Sequence, residues 1–171
     1  MPGAMVIGLI VLVSLAAWSD LRTRRIPNSI TVTGAAAGVF LHVFYYGASG
    51  ALQSVAGAAF GLAIFLVFYI AGGMGAGDVK LFGAVGAFAG PQAMVVVFVF
   101  TALLGGIAAL ALALWSGRLR ETLVRTGEML VGMSRLRLDE LRAAGASPRC
   151  LRLPYGAVIA GGTLVSLIVL R

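Results

Sequence analysis

Charged residues are confined to short stretches of this chain, and four long windows between them contain none. The windows, which lack Lys, Arg, Asp and Glu, cover residues 1–19, 26–77, 81–117 and 153–170. A helix needs about 20 apolar residues to cross the hydrocarbon core of a bilayer, so the windows hold one, two, two and one crossings. The pattern predicts an all-α, polytopic membrane protein with about six transmembrane helices.

Turn residues set the boundaries of these helices. The GASG stretch at 47–50 and Gly90-Pro91 divide the two longer windows, whereas Pro27 and Pro154 each open a helix. The predicted helices cover 3–19, 29–46, 52–71, 80–91, 93–115 and 154–170. The fourth is short for a crossing; it tilts, extends backwards through the turn at Asp78, or enters the bilayer without crossing fully.

Composition and charge fit a membrane location. The chain is 60% hydrophobic and 11% charged, which excludes an ordinary soluble domain. With six crossings, 12 of the 13 Lys and Arg residues fall on one side, and the positive-inside rule makes that side cytoplasmic. Both termini then lie outside. A cleaved signal peptide at the N-terminus is the weaker alternative, because no basic residue precedes the apolar stretch.

The arginine-rich region at about 116–153 is the one long cytoplasmic loop of this topology. Its apolar residues recur three and four positions apart, which indicates an amphipathic helix at the membrane surface; a solvated loop is the alternative. We treat residues 1–171 as a single domain. The net charge of +7 indicates contact with anionic lipid, and a nucleic-acid partner has little support. The single cysteine, Cys150, predicts neither a disulfide framework nor a metal site.

Two acidic residues stand apart from this loop. Asp20 ends the first helix and Asp78 precedes the fourth, so the topology puts both at the cytoplasmic face. A pair of carboxyl groups that shares one proton can activate water and polarise a carbonyl, as aspartic proteases do, without a metal or a cofactor. Gly75 and Gly77 leave room beside Asp78 for another backbone. The structural alternative is that these glycines serve helix packing and that Asp20 pairs with a nearby arginine.

Three motifs make the chain resemble the type IV prepilin peptidases, which are membrane aspartic proteases that process pilin and pseudopilin precursors. The motifs are DLRTRRIPN at 20–28, GAGDVK at 75–80 and, more weakly, LPYGAVIAGG at 153–162. The resemblance extends over nearly the whole chain, and the combination is more specific than any single motif. It implies that Asp20 and Asp78 are the catalytic aspartates.

The resemblance also implies roles for neighbouring residues. Gly75 and Gly77 would shape the active-site turn, and Lys80 would either tune the two aspartates electrostatically or only anchor the topology at the membrane face. From their position near the cytoplasmic face, the candidates for bordering the site are Pro27, Asn28, Pro154, Tyr155 and Gly156. Helix packing explains Tyr155 and Gly156 equally well.

The likeness is to the short members of the family. Long members carry an added N-terminal domain with paired Cys-x-x-Cys motifs and methylate the new terminus with S-adenosylmethionine. Because the first aspartate is Asp20 and Cys150 is the single cysteine, we expect no such domain, no zinc and no methylation. The plan resembles the peptidases of Tad (Flp) pilus systems, and archaeal preflagellin peptidases are similar. The resemblance implies a prepilin or pseudopilin substrate at the cytoplasmic membrane of a prokaryote; it sets neither the particular precursor nor the oligomeric state.

Three other functions fit the same topology. Intramembrane proteases of the presenilin kind also use G-x-G-D, but their first aspartate lies inside a helix, typically after tyrosine, whereas Asp20 follows Ser19. A small proton- or cation-coupled transporter would need acidic groups deeper in the bilayer. A non-catalytic pilus-assembly membrane protein would keep the topology and tolerate Asp→Asn at both positions.

Overall fold

The structure, a computed structural model, describes residues 1–70, 74–115, 124, 127 and 154–170, and it contains four helices there. The helices are α1 (Gly3–Thr23), α2 (Asn28–Ile70), α3 (Ala76–Trp115) and α4 (Tyr155–Val169). The described residues contain no strand, which confirms the all-α prediction for this part of the chain. The predicted loop at about 116–153 lies outside the described residues, apart from positions 124 and 127.

The prediction of about six helices is wrong as a count for the described residues. Helix α2 takes in the second and third predicted helices, and α3 takes in the fourth and fifth. At each predicted turn one residue has non-helical dihedral angles: Gly47, with φ 63° and ψ −143°, and Gly90, with φ 73° and ψ 167°. Glycine adopts positive φ at little steric cost. A single residue therefore makes each turn, and the chain is helical on both sides of it.

Both long helices double back at these glycines. Gly38 and Ser54 would lie about 24 Å apart along a straight helix, yet both contact Ala87. In α3, the ring centroids of Phe82 and Phe98 are 6.5 Å apart, although the same sequence separation divides them. Each long helix therefore consists of two arms that lie side by side, with Gly47 or Gly90 between them.

The helices have the length and surface of membrane-spanning segments. Among the described residues, α1, α2 and α3 are long and apolar enough to cross a membrane, and α4 is a shorter apolar helix of 15 residues. Large apolar side chains such as Phe40, Phe44 and Trp115 are exposed on the outside. An outer surface of this kind is suited to contact with lipid. These features indicate a membrane protein.

The first arm of α3 lies at the centre of the molecule. Every residue from Leu81 to Phe88 is buried. The arm from Ala76 to Ala89 has a length of about 21 Å at 1.5 Å per residue, which is less than the hydrocarbon thickness of about 30 Å. Other helices surround this arm, so the surface that faces lipid belongs to them. The arm itself therefore does not need to be as long as the hydrocarbon core is thick. This arrangement accommodates the short fourth helix predicted from the sequence.

Small residues allow α2 to lie directly on this central arm. A Cβ atom added at Gly57 would meet the backbones of Gly86 and Gly90, so these chains approach at backbone distance. Nearby, the buried Ser54 hydroxyl donates a 2.7 Å hydrogen bond to the Ala87 carbonyl. Close contact through glycine together with an interhelical hydrogen bond is typical of helix packing in membranes. Helix α4 packs against α3 and α1.

Candidate active site

The last turn of α1 and the first turns of α3 and α4 lie together. Asp20 belongs to the last turn of α1 and Asp78 to the first turn of α3; both side chains are buried, with 6% and 9% of their surface exposed. Ile26, between α1 and α2, lies against Gly77 at the start of α3 and against Gly156 at the start of α4. Asp20 lies beside Gly156 and Asp78 directly follows Gly77, so the two aspartates lie on either side of Ile26.

Asp20 is held by a helix to which it does not belong. The Gly156 N–H donates a 2.8 Å hydrogen bond to Asp20 Oδ2. This amide is among the first four of α4, which have no partner within their own helix. The end of α1 is unfavourable for a negative charge, since the carbonyl end of the helix dipole lies there. The positive end of the α4 dipole offsets this effect, and Asp20 caps α4 from outside.

Asp78 is held within its own helix. Its Oδ2 accepts a 3.1 Å hydrogen bond from the Gly75 N–H, and its own N–H donates a 3.1 Å hydrogen bond to the Gly75 carbonyl. The side-chain bond is one half of a capping box, in which an acidic residue in the first turn accepts the amide that precedes the helix. Gly75 has no side chain to supply the other half, and its carbonyl accepts the Asp78 amide instead. Asp78 therefore has a structural role at the start of α3, whatever chemistry it performs.

The space beside the motif glycines is occupied by neighbouring side chains. A Cβ atom added at Gly77 would lie 3.3 Å from Ile26 Cβ, and one added at Gly75 would lie 3.1 Å from Asp78 Oδ2. At Gly156, an added Cβ atom would lie 3.1 Å from Ile26 Cδ1. The sequence suggested that Gly75 and Gly77 leave room for another backbone. In the structure, their missing side chains make room for Ile26 and for the Asp78 carboxyl group.

The other residues predicted to belong to the site surround this centre. Lys80 is exposed, and its Nζ donates a 2.9 Å hydrogen bond to Asn28 Oδ1. Pro27 precedes α2, and its carbonyl accepts amide hydrogen bonds from the first turn of that helix. Pro154 is the N-cap residue of α4, and the half-buried Tyr155 is its first helical residue.

Sequence reasoning missed the residue that connects these elements and the donor that holds Asp20. Ile26 belongs to the first motif, but an apolar residue among arginines carries no chemical signal of its own. The donor is a main-chain group, so the identity of Gly156 does not reveal it. Pro154 was the available signal, because it marks the start of a helix whose first amides need acceptors from elsewhere.

Two buried carboxyl groups in this arrangement are suited to proton transfer. When such groups lie close together, it is unfavourable for both to be ionised, and the pair can hold one proton between them. The ionised member can then accept a proton from water, while the protonated member donates one to a substrate oxygen. Among the residues that the structure describes, no group of three or more His, Cys, Asp or Glu side chains could hold a metal ion.

Comparison with known protein families matches residues 7–110 to the type IV leader peptidase family. The matched region covers more than half of the chain and contains Asp20, Asp78 and Lys80. It ends within α3, so Gly156 and the rest of α4 lie beyond it. Comparisons with curated proteins and with solved structures give no match.

Proposed function

Because the chain belongs to the type IV leader peptidase family, we propose that it is an aspartic endopeptidase whose Asp20 and Asp78 activate a water molecule. Its proposed substrate is a type IV prepilin or pseudopilin precursor, from which it removes the basic leader. One observation carries the proposal. The only two acidic side chains among the described residues are both buried, and the helix ends that carry them meet around Ile26.

In the proposed reaction, the ionised carboxylate accepts a proton from water as the water oxygen attacks the scissile carbonyl carbon. The protonated carboxyl group donates its proton to the carbonyl oxygen, which forms a neutral tetrahedral intermediate. The intermediate then breaks its C–N bond: one hydroxyl returns a proton to the carboxylate, and the other carboxyl group protonates the leaving nitrogen. The pair again holds one proton, and the cycle needs neither a metal nor a cofactor.

We place this site at the cytoplasmic face of a prokaryotic cytoplasmic membrane. If α1, α4 and each arm of α2 and α3 cross once, the chain makes six crossings. The basic residues near the two aspartates, Arg22, Arg24, Arg25 and Lys80, then lie on the side that the positive-inside rule makes cytoplasmic. Two observations support the crossings: both long helices double back, and large apolar side chains cover the outside.

The proposed substrate has a basic leader ahead of an apolar helix, and we expect the enzyme to interact with these two parts in different ways. A basic enzyme face does not attract a basic leader over long distances, whereas exposed apolar helices can contact the apolar segment within the bilayer. We therefore propose that the enzyme recognises its precursor mainly through the apolar helix. Shortening that helix should then reduce cleavage more than neutralising one leader charge does, and the opposite ranking would contradict this mode of recognition.

The function is tested by co-expressing the chain with a Tad-type prepilin and following the change in precursor size. The variants are Asp20→Asn and Asp78→Asn, with Asp139→Asn as the control for the same chemical change elsewhere. Asparagine keeps a side-chain oxygen that can accept the Gly156 or Gly75 N–H, so both variants should fold and enter the membrane. We expect cleavage to fall by about 100-fold or more in each site variant and to persist in the control.

The outcomes separate the candidate functions. Loss of cleavage in both folded, membrane-inserted variants would establish that the two carboxyl groups are required. Cleavage that survives either substitution would remove that residue from the catalytic pair. If the wild-type chain cleaves none of several precursors, and pilus assembly survives both substitutions, a non-catalytic assembly protein becomes the better description.

A further inference from the structure

One side-chain hydrogen bond ties the segment after Asp20 to the helix that contains Asp78. Lys80 Nζ donates to Asn28 Oδ1 at 2.9 Å, across 52 positions of sequence. Asn28 is the first residue of α2, and Lys80 lies in the first arm of α3, two positions after Asp78. The bond therefore links the segment that follows Asp20 to the helix that contains Asp78, and neither carboxyl group takes part in it.

Lys80 is poorly placed to act directly on Asp78. Residues two positions apart on a helix are separated by about 200° around its axis and do not face each other. Burial agrees with this geometry, since the Asp78 side chain is buried and the Lys80 side chain is exposed. Among the described residues, the polar contact that Lys80 makes at the candidate site is its hydrogen bond to Asn28.

Asn28 is only two residues from the side chain that packs between the helix starts. Ile26 lies against Gly77 and Gly156, and a side chain added at either glycine would press on it. Pro27, which joins Ile26 to Asn28, has a restricted φ angle. Fixing Asn28 on α3 therefore restricts where Ile26 can lie, and with it the spacing between the starts of α3 and α4.

We propose that Lys80 and Asn28 form a latch that positions Asp20 relative to Asp78 by holding the segment 26–28 against α3 and α4. This inference rests on the proposed function. In this role Lys80 is a positioning residue, and its hydrogen-bond donor matters more than its charge. From the sequence, Lys80 was expected either to tune the two aspartates electrostatically or to anchor the topology. The latch differs from both roles because it requires Asn28.

A double-mutant cycle on cleavage tests the latch. Lys80→Met, Asn28→Ala and the double variant are compared for kcat and KM, because small misplacements of reacting groups lower kcat. We expect each single variant to lower kcat about tenfold with little change in KM. The double variant should be no worse than either single variant, since the two residues act through one contact. Arg22→Met controls for loss of a positive charge, and Ser29→Ala controls for a change beside Asn28.

Other results would overturn the latch. An effect of Lys80→Met without an effect of Asn28→Ala would assign Lys80 to a charge role. Effects that multiply in the double variant would show that the residues act independently. Rescue gives a further check: Asn28→Asp keeps an acceptor for Lys80 and should restore most of kcat, whereas Asn28→Asp combined with Lys80→Met should not.

A crosslinking measurement tests the contact without relying on activity. In a Cys150→Ser background, cysteines replace Asn28 and Lys80, and a short bifunctional maleimide is added to membranes. We expect a crosslink that mass spectrometry detects, also when Asp78→Asn is present, and much less crosslinking when the cysteines replace Ser49 and Lys80. Absence of the 28–80 crosslink would overturn the latch. A crosslink with unchanged kcat in Lys80→Met and Asn28→Ala would overturn its positioning role and leave the proposed function standing.

Discussion

The backbone N–H of Gly156 donates a 2.8 Å hydrogen bond to the carboxyl group of Asp20, which precedes it by 136 positions. This bond joins the last helix to the end of the first helix. The family match ends at residue 110, so α4 contributes to the candidate site from outside the matched region. The site is therefore complete only when both ends of the chain have packed together.

Replacing Gly156 with alanine should lower cleavage by displacing Asp20. The new Cβ atom would lie 2.9 Å from Asp20 Cβ and 3.0 Å from its Oδ2, so the Asp20 side chain would have to move by a few tenths of an ångström. We expect kcat to fall by about tenfold, since misplacing a catalytic group by about 1 Å can cost about 100-fold and this displacement is smaller.

The control for this variant is Gly106→Ala, where an added Cβ atom has no neighbour within 4 Å. Alanine is a better helix former than glycine, so Gly106→Ala should fold at least as well as the wild type and cleave normally. Full activity in Gly156→Ala would show that the site tolerates a shifted Asp20.

Gly90 should resist substitution for a purely backbone reason. Its φ of 73° and ψ of 167° lie in a region that other residues avoid, and an added Cβ atom would meet nothing within 4 Å. We therefore expect Gly90→Ala to reduce the free energy of unfolding by about 1–3 kcal/mol, without any steric clash. Thermal unfolding in detergent, compared with Gly106→Ala, checks this prediction. Equal stability of the two variants would contradict the backbone angles found at Gly90.

The apolar helices could be predicted from sequence because charges are costly in lipid and therefore mark where helices leave it. The sequence did not predict that a single residue makes each turn within α2 and α3. A turn made by one glycine at positive φ, as at Gly47, needs no run of polar residues, and the sequence does not specify its dihedral angles.

The candidate site, too, could be predicted from the sequence only in part. Asp20 and Asp78 stand out because acidic residues are scarce outside the arginine-rich region. Their proximity depends on how α1 and α3 pack, and local periodicity does not contain that information. The Gly156 amide is a main-chain donor and has no side-chain signature. The bond between Lys80 and Asn28 joins two residues whose types are ordinary at a membrane surface, so the motifs named both residues but not their contact.

Ser54 should contribute to the packing of α2 on the central arm of α3. Its buried hydroxyl donates a 2.7 Å hydrogen bond to the Ala87 carbonyl, whereas the exposed Ser49 hydroxyl bonds locally to the Tyr46 carbonyl at 2.8 Å. Interhelical hydrogen bonds of this kind contribute about 0.6 kcal/mol on average in membranes and up to about 1.7 kcal/mol. Ser54→Ala should therefore lower the unfolding temperature in detergent more than Ser49→Ala does. Equal effects would indicate that the Ser54 bond adds nothing beyond a local one.

Asp20 should affect stability as well as cleavage, and two substitutions separate these roles. Asp20→Asn keeps an oxygen that can accept the Gly156 N–H, whereas Asp20→Ala leaves that buried amide without its acceptor. A buried donor that loses its partner costs about 1–3 kcal/mol. We therefore expect both variants to lose cleavage, but only Asp20→Ala to unfold at a clearly lower temperature. Equal instability of both variants would mean that the charge of Asp20, and not its hydrogen bond, holds α4 in place.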